Sequence, residues 1–304
     1  MLAGAEEPLQ GGAEMMAAHA LMTGLVDYAG LFPPASLDMM GAVRRYREYL
    51  TGEERWALGR FVVPAARLGE FSAAFNEVCC GEREPVWGLS VLGSGDAAAD
   101  AAAVAGLARG AVSIDSVELK AGSVVDAERL LTGLPSELLA YVEFEPGRAT
   151  EMLPVLARFG ARAKIRMGGV TAEAFPSVEV VADFLAACSR ARMAFKATAG
   201  LHHAVRGAYK LTYEPGSARA TMHGFTNVFL AAVLAWRDEG ARAVRDTLAV
   251  EDGSVFVFGE DDVRWLGLSA GIDEIEVVRR EFAVSYGSCS FTEPLEEVKT
   301  LGWV

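Results

Sequence analysis

This chain is short of cysteine, histidine and positive charge, and each shortage removes a class of function. Its four cysteines, the adjacent pair Cys79 and Cys80 with Cys188 and Cys289 far apart, show no CxxC spacing. A disulfide scaffold and a thiolate zinc site are therefore not expected, and a reducing compartment is. Lysine and arginine number 28 against 41 aspartates and glutamates, a formal net charge of −13. A phosphate-rich polymer needs a basic face, so no nucleic-acid partner is expected. No run of about 18 apolar residues suggests a membrane span. The N-terminal MLAGAEEPLQGG lacks the charged-then-apolar order of a signal peptide. The expected protein is soluble and cytoplasmic, with no membrane partner and a small molecule as its substrate.

Hydrophobic residues are plentiful. At 52% of 304 residues they suffice for a large core, either one large α/β domain or two ordinary ones. Apolar runs of about five residues alternate with amphipathic stretches of about 10 to 16, the mark of βα units on a parallel sheet. Strands are expected at Gly24–Tyr28, Arg60–Val63, Trp87–Leu92, Ser116–Lys120, Ala140–Phe144, Ala163–Met167, Met193–Thr198 and Phe282–Tyr286. A short helix over Glu14–Met22 precedes them. Crossover helices are expected at Leu37–Leu50, Arg67–Val78, Asp96–Arg109, Val125–Thr132, Ala149–Phe159 and Ser177–Ala191. Eight strands with crossovers favour a (β/α)8 TIM barrel, one domain over 1–304, rather than an open doubly wound sheet. Residues 203–281 form a structured insertion of roughly 80 residues between strands seven and eight, far beyond an ordinary loop. It is expected to hold helices at Phe225–Trp236 and Asp273–Arg280 and a short strand at Val255–Phe258. At the barrel rim it would cover the site or build a subunit interface in a homo-oligomer.

Two stretches stand out within that frame. FKATAGLHH, Phe195 to His203, puts Lys196 on an apolar strand before Gly200, His202 and His203. AKIRMGG, Ala163 to Gly169, puts Lys164 and Arg166 on one strand face before Gly168 and Gly169. Lysine is almost never fully buried without a partner, so two on neighbouring strands point to a perturbed amine or an anion site. An amine beside a second cation loses proton affinity and can act as a nucleophile. Asp27 and Glu118 lie at strand ends where they could move protons, while Glu143 and Glu145 share one face of the fifth strand and could pair with Lys120 or Arg166. An ion-pair network across the barrel mouth would explain the same residues without chemistry. The glycines at 168, 169 and 200, and the run SYGSCSF with Ser288 and Ser290, could bring backbone N–H groups up to a phosphate.

These segments resemble class I aldolases of the deoxyribose-phosphate aldolase type. The likeness rests on LVDYAGLF around Asp27, VELK with Glu118 where that family has aspartate, Lys164 to Gly168 for K-x-x-x-G, and FKATAG for F-K-x-x-G-G. The turn Gly287 to Ser290 is similar to G-A-S-S. The resemblance implies a lyase or aldolase that forms a Schiff base at Lys164, with Lys196 lowering its pKa and Asp27 and Glu118 relaying protons. Gly168, Gly169, Gly200, Ser288 and Ser290 would hold a substrate phosphate if there is one, beside Arg166, His202 and His203. Ile165, Arg166 and Met167 replace the family's hydroxyl-rich run, which leaves Lys196 as the alternative nucleophile. This reading needs no cofactor and no metal. Two others stay open. One is a metal-assisted barrel enzyme using His202 or His203, His223 and a glutamate, although no H-x-H or H-E-x-x-H spacing exists. The other is a barrel without catalysis that binds a metabolite.

Overall fold

The computed structural model describes residues 16–79, 85–107 and 110–304. Cys80, Arg109 and the start of the first expected helix lie outside them. In chain order come α1 (Met16–Met22), β1 (Val26–Tyr28), α2 (Met39–Thr51), β2 (Leu58–Pro64), α3 (Leu68–Val78), β3 (Trp87–Leu92) and α4 (Ala97–Gly106). Then follow β4 (Val112–Lys120), α5 (Val124–Thr132), β5 (Ala140–Glu143), α6 (Ala149–Arg158), β6 (Arg162–Arg166), α7 (Val178–Arg190) and β7 (Phe195–Thr198). The last stretch holds β8 (Gly207–Lys210), β9 (Arg219–Met222), α8 (Phe225–Trp236), α9 (Ala241–Ala249), β10 (Val257–Phe258), β11 (Asp262–Trp265), β12 (Leu268–Gly271), α10 (Ile272–Glu281), β13 (Ala283–Ser288) and α11 (Thr292–Thr300).

Strands β1, β13, β7, β6, β5, β4, β3 and β2 close a ring in that order, every pair parallel. The chain is a (β/α)8 TIM barrel, and each of the eight expected strands is present, Trp87–Leu92 with the expected ends and the others with shifted ones. Four of the helices, α2, α4, α5 and α7, begin where the sequence offers a side-chain acceptor for an orphan N–H. Asp38 accepts from Gly41 N at the start of α2, Asp96 from Ala98 N and Ala99 N at α4, and Ser177 from Val180 N at α7. Cys79, Cys188 and Cys289 are buried. Among the described residues, no helix is long and apolar enough to cross a membrane.

The chain between β7 and β13 is spread over the molecule. The antiparallel hairpin β8–β9 stands directly after β7. Helix α8 buries every residue from Phe225 to Ala235, because α7, α9 and α10 pack around it. A helix apolar on all sides needs such a shell. Asn227 fastens it there: its side-chain amide donates to Thr247 O and Val250 O, and its oxygen accepts from Arg206 N. The small sheet β10–β11–β12 packs against α1 through β11.

Arg279 of α10 is buried and donates to four backbone carbonyls: Leu21 and Thr23 before β1, and Ala283 and Val284 in β13. It ties three segments together where the first and last barrel strands begin. Burial pushes its guanidinium down to about 9, and the more distant charge of Asp27 opposes this. Arg279→Met removes those charge-assisted bonds, and the expected loss of unfolding free energy is about 3 kcal/mol, read by urea denaturation.

Tyr286 points outward from β13 onto Phe225 and Phe229 of α8, and its hydroxyl is buried without a hydrogen-bond partner. Tyr286→Phe should therefore leave stability unchanged or raise it by up to about 1 kcal/mol in the same measurement.

Candidate active site

Strand alternation selects the residues that meet inside the barrel. On β6 the positions of Arg162, Lys164 and Arg166 share one face. The register sets Lys164 beside Lys196 of β7 on one side and beside Glu143 of β5 on the other. Lys196 Nζ lies 2.7 Å from Asp27 Oδ2 and 2.5 Å from Glu118 Oε1. Lys164 Nζ lies 2.8 Å from Glu118 Oε2 and 3.1 Å from Glu143 Oε2. Arg166 Nε donates to Glu143 Oε1 at 2.8 Å, and at the far end Arg60 N donates to Asp27 Oδ1 at 2.7 Å, with the Arg60 guanidinium 3.9 Å away. The charges therefore alternate across the barrel as Arg60, Asp27, Lys196, Glu118, Lys164, Glu143, Arg166.

Asp27, Glu118, Lys164 and Lys196 are each at most 2% exposed. Ions so deeply buried persist only when paired and hydrogen-bonded. Hydroxyls complete the set: Ser90 Oγ donates to Glu118 Oε1 at 2.6 Å and sits 2.8 Å from Ser116 Oγ, while Ser285 Oγ donates to Asp27 Oδ2 at 2.8 Å. Gly59 makes room for this, since a Cβ there would lie 2.3 Å from Asp27 Oδ1.

Burial alone would push the Glu118 carboxyl up, but the charges and hydrogen bonds of Lys164 and Lys196 hold it well below the usual range. Glu143 is lowered too: burial opposes this, and Lys164 and then Arg166 outweigh burial. The expectation that neighbouring amines loosen each other's protons fails for Lys196. Burial pulls its amine down, but Asp27 and Glu118 raise it above the ordinary lysine value. An amine shifted in that direction holds its proton more firmly, which disfavours nucleophilic attack by Lys196.

A cavity of about 630 Å³ opens above this cluster. Of the residues singled out from the sequence, Glu118, Lys164, Arg166, Gly169, Gly200, His202 and His203 line it. Asp27 and Lys196 are buried in the ion-pair chain, off the cavity wall. Gly168 and Gly200 face each other: a Cβ on Gly200 would lie 2.7 Å from the Gly168 Cα, and its φ is +72°. Their close approach lets the turns after β6 and β7 touch. Ser288 is buried, with its hydroxyl 3.4 Å from His202 Nδ1. Ser290 Oγ accepts from Glu293 N at the start of α11.

The histidines divide. Burial and then the neighbouring His203 push His202 down to about 4, so it is neutral near pH 7. His203 stacks on Tyr209 and reaches Glu297 at 2.5 Å. His223 is turned away to Pro176 O at 2.8 Å, and burial lowers its pKa. Among the described residues, no group of three or more His, Cys, Asp or Glu side chains could hold a metal ion. Tyr213, Lys210, Arg219, Cys289 and Glu293 also line the cavity and were not picked out as site residues from the sequence. Three of these come from the β8–β9 hairpin or its turn. The signal for it was present in YEPGSA, a Pro215–Gly216 turn between alternating segments.

Fold and site together define a TIM barrel with a buried lysine–carboxylate centre below an open cavity. No protein-family model matches the chain, and no curated protein does. Among solved structures it is similar to the tetrameric deoxyribose phosphate aldolase from Aeropyrum pernix, at 13% identity and a TM-score of 0.35 over 96% of this chain and 100% of that one. A likeness at that level does not bear on the chemistry, which has to be argued from the residues.

Proposed function

We propose that the protein is a lyase that forms a Schiff base between Lys164 and a carbonyl substrate and makes or breaks a carbon–carbon bond next to it. The observation that carries this is the difference between the two lysines: both are held by Glu118, but only Lys164 lines the cavity. The amine must lose a proton before it attacks. Glu118, at 2.8 Å, accepts that proton and returns it to the carbinolamine hydroxyl as water leaves. The resulting iminium is positive like the ammonium it replaces, so the alternation of charge between Glu118 and Glu143 is preserved. It then draws in the electron pair of the breaking carbon–carbon bond as an enamine, while the hydroxyl on the departing carbon passes its proton to Glu118 and becomes the second carbonyl; that proton returns to the enamine carbon, and water hydrolyses the iminium to free Lys164. Lys196, itself held by Asp27, keeps Glu118 in place and ionised between these transfers.

The reading is tested by borohydride reduction of the wild-type protein with propanal, pyruvate and deoxyribose 5-phosphate, followed by intact mass and peptide mapping. A reduced adduct on Lys164 is expected with at least one of these. No adduct with any of them, or an adduct confined to Lys196, would overturn it.

A further inference from the structure

The cavity's wall is mostly apolar, with Phe32, Pro33, Pro34, Phe175, Leu211 and Met222 all lining it. Its volume of about 630 Å³ falls in the range that encloses drug-sized ligands rather than a triose. The hairpin adds two cations to the same cavity. Lys210 and Arg219 are cross-strand partners in the β8–β9 register, and both line the cavity. Like charges directly opposite each other are destabilising on a strand pair. Among the described residues, neither has a carboxylate within ion-pair distance, and the guanidinium of Arg219 donates to Ala208 O. Glu293 also lines the cavity, and among the described residues no ion pair joins it to either cation.

We infer that the cavity takes an amphipathic acid, a carbonyl compound with a substantial apolar body and a carboxylate at the far end. Lys210 and Arg219 hold the carboxylate, the aromatic and proline wall holds the body, and the carbonyl lies at Lys164. Only the position of the carbonyl rests on the Schiff-base reading. The acidic group relieves the repulsion between the two hairpin cations, and the apolar wall excludes a small, heavily hydrated phosphate ester.

The test uses three probes without a carbonyl, 4-phenylbutyrate, 4-phenylbutanol and glycerol 3-phosphate. Calorimetry and thermal shift are run on the wild type and on the Lys210→Gln/Arg219→Gln double variant, whose changes are confined to exposed side chains. 4-Phenylbutyrate is expected to bind the wild type at least about ten-fold more tightly than either other probe. The double variant should bind the acid and the alcohol equally. Tighter binding of glycerol 3-phosphate, equal binding of acid and alcohol to the wild type, or an advantage for the acid that survives in the double variant would each overturn the inference. Binding of the acid without a trapped adduct from 4-(4-formylphenyl)butyrate, whose carbonyl and carboxylate lie at opposite ends, would sink the Schiff-base reading and leave this one standing. Trapping of deoxyribose 5-phosphate with no binding of the acid would do the opposite.

Discussion

Glu118→Gln should lower the unfolding free energy by about 3–5 kcal/mol at pH 7, among the largest losses for any single change in the barrel. The substitution keeps shape and most hydrogen-bonding capacity but removes the negative charge between Lys164 and Lys196. Each ammonium then loses one of its two carboxylate partners while staying at most 2% exposed. The change should also alter the pH dependence of stability. In the wild type, the folded-state Glu118 carboxyl lies below its unfolded value, so its contribution is complete above about pH 5 and is lost as pH falls. Lys196 is shifted the other way, so its contribution is complete below the unfolded lysine value of about 10.4 and is lost as pH rises through the folded value. Wild-type stability should therefore be flat across the neutral range and fall on both sides. In Glu118→Gln the acid limb should become shallower, as measured by urea midpoints between pH 3 and pH 7. An acid limb as steep as that of the wild type, or a loss below about 1 kcal/mol, would mean that Glu118 is not the keystone of the charge chain.

The barrel was legible because parallel strands covered on both faces read as short apolar runs, and the same runs mark the inward positions. A lysine or glutamate interrupting such a run, as Lys164, Lys196 and Glu118 do, has to point somewhere, and the centre of the barrel is where partners could meet it. Which partner meets which was not legible. The sequence offers Glu143 or Glu145 with Lys120 or Arg166 as partner, whereas the β5–β6 register brings Glu143 to Lys164 as well as to Arg166. The sign of the shift on Lys196 was missed for the same reason: a sequence shows the neighbouring amine but not two carboxylates closing on it from β1 and β4. From sequence, the glycines after β6 and β7 offer a place for a phosphate. The close approach of Gly168 to Gly200 explains those two by packing alone. Lys210, Tyr213 and Arg219 escaped notice because the hairpin carrying them is polar and half exposed, without the apolar signal that marks a barrel strand.

Lys164→Arg is expected to keep the fold and abolish the trapped adduct, with the turnover of any substrate that traps falling by at least about a thousand-fold. Arginine preserves a positive charge between Glu118 and Glu143, so the alternation across the barrel survives, but its guanidinium stays protonated and forms no imine under these conditions. The companion change, Lys196→Gln, should behave in the opposite way. Asp27 and Glu118, both at most 2% exposed, would lose their shared cation, and stability should fall by about 3–5 kcal/mol. The protein that remains folded at low temperature should still trap an adduct on Lys164, at a reduced rate, because Glu118 no longer has its second ammonium. An adduct that persists in Lys164→Arg would move the nucleophile elsewhere. Equal losses of stability in the two variants would show that Lys164 is held by the barrel for the same structural reason as Lys196. It is the separation of the two outcomes, one in chemistry and one in folding, that would assign different tasks to two amines sharing one carboxylate.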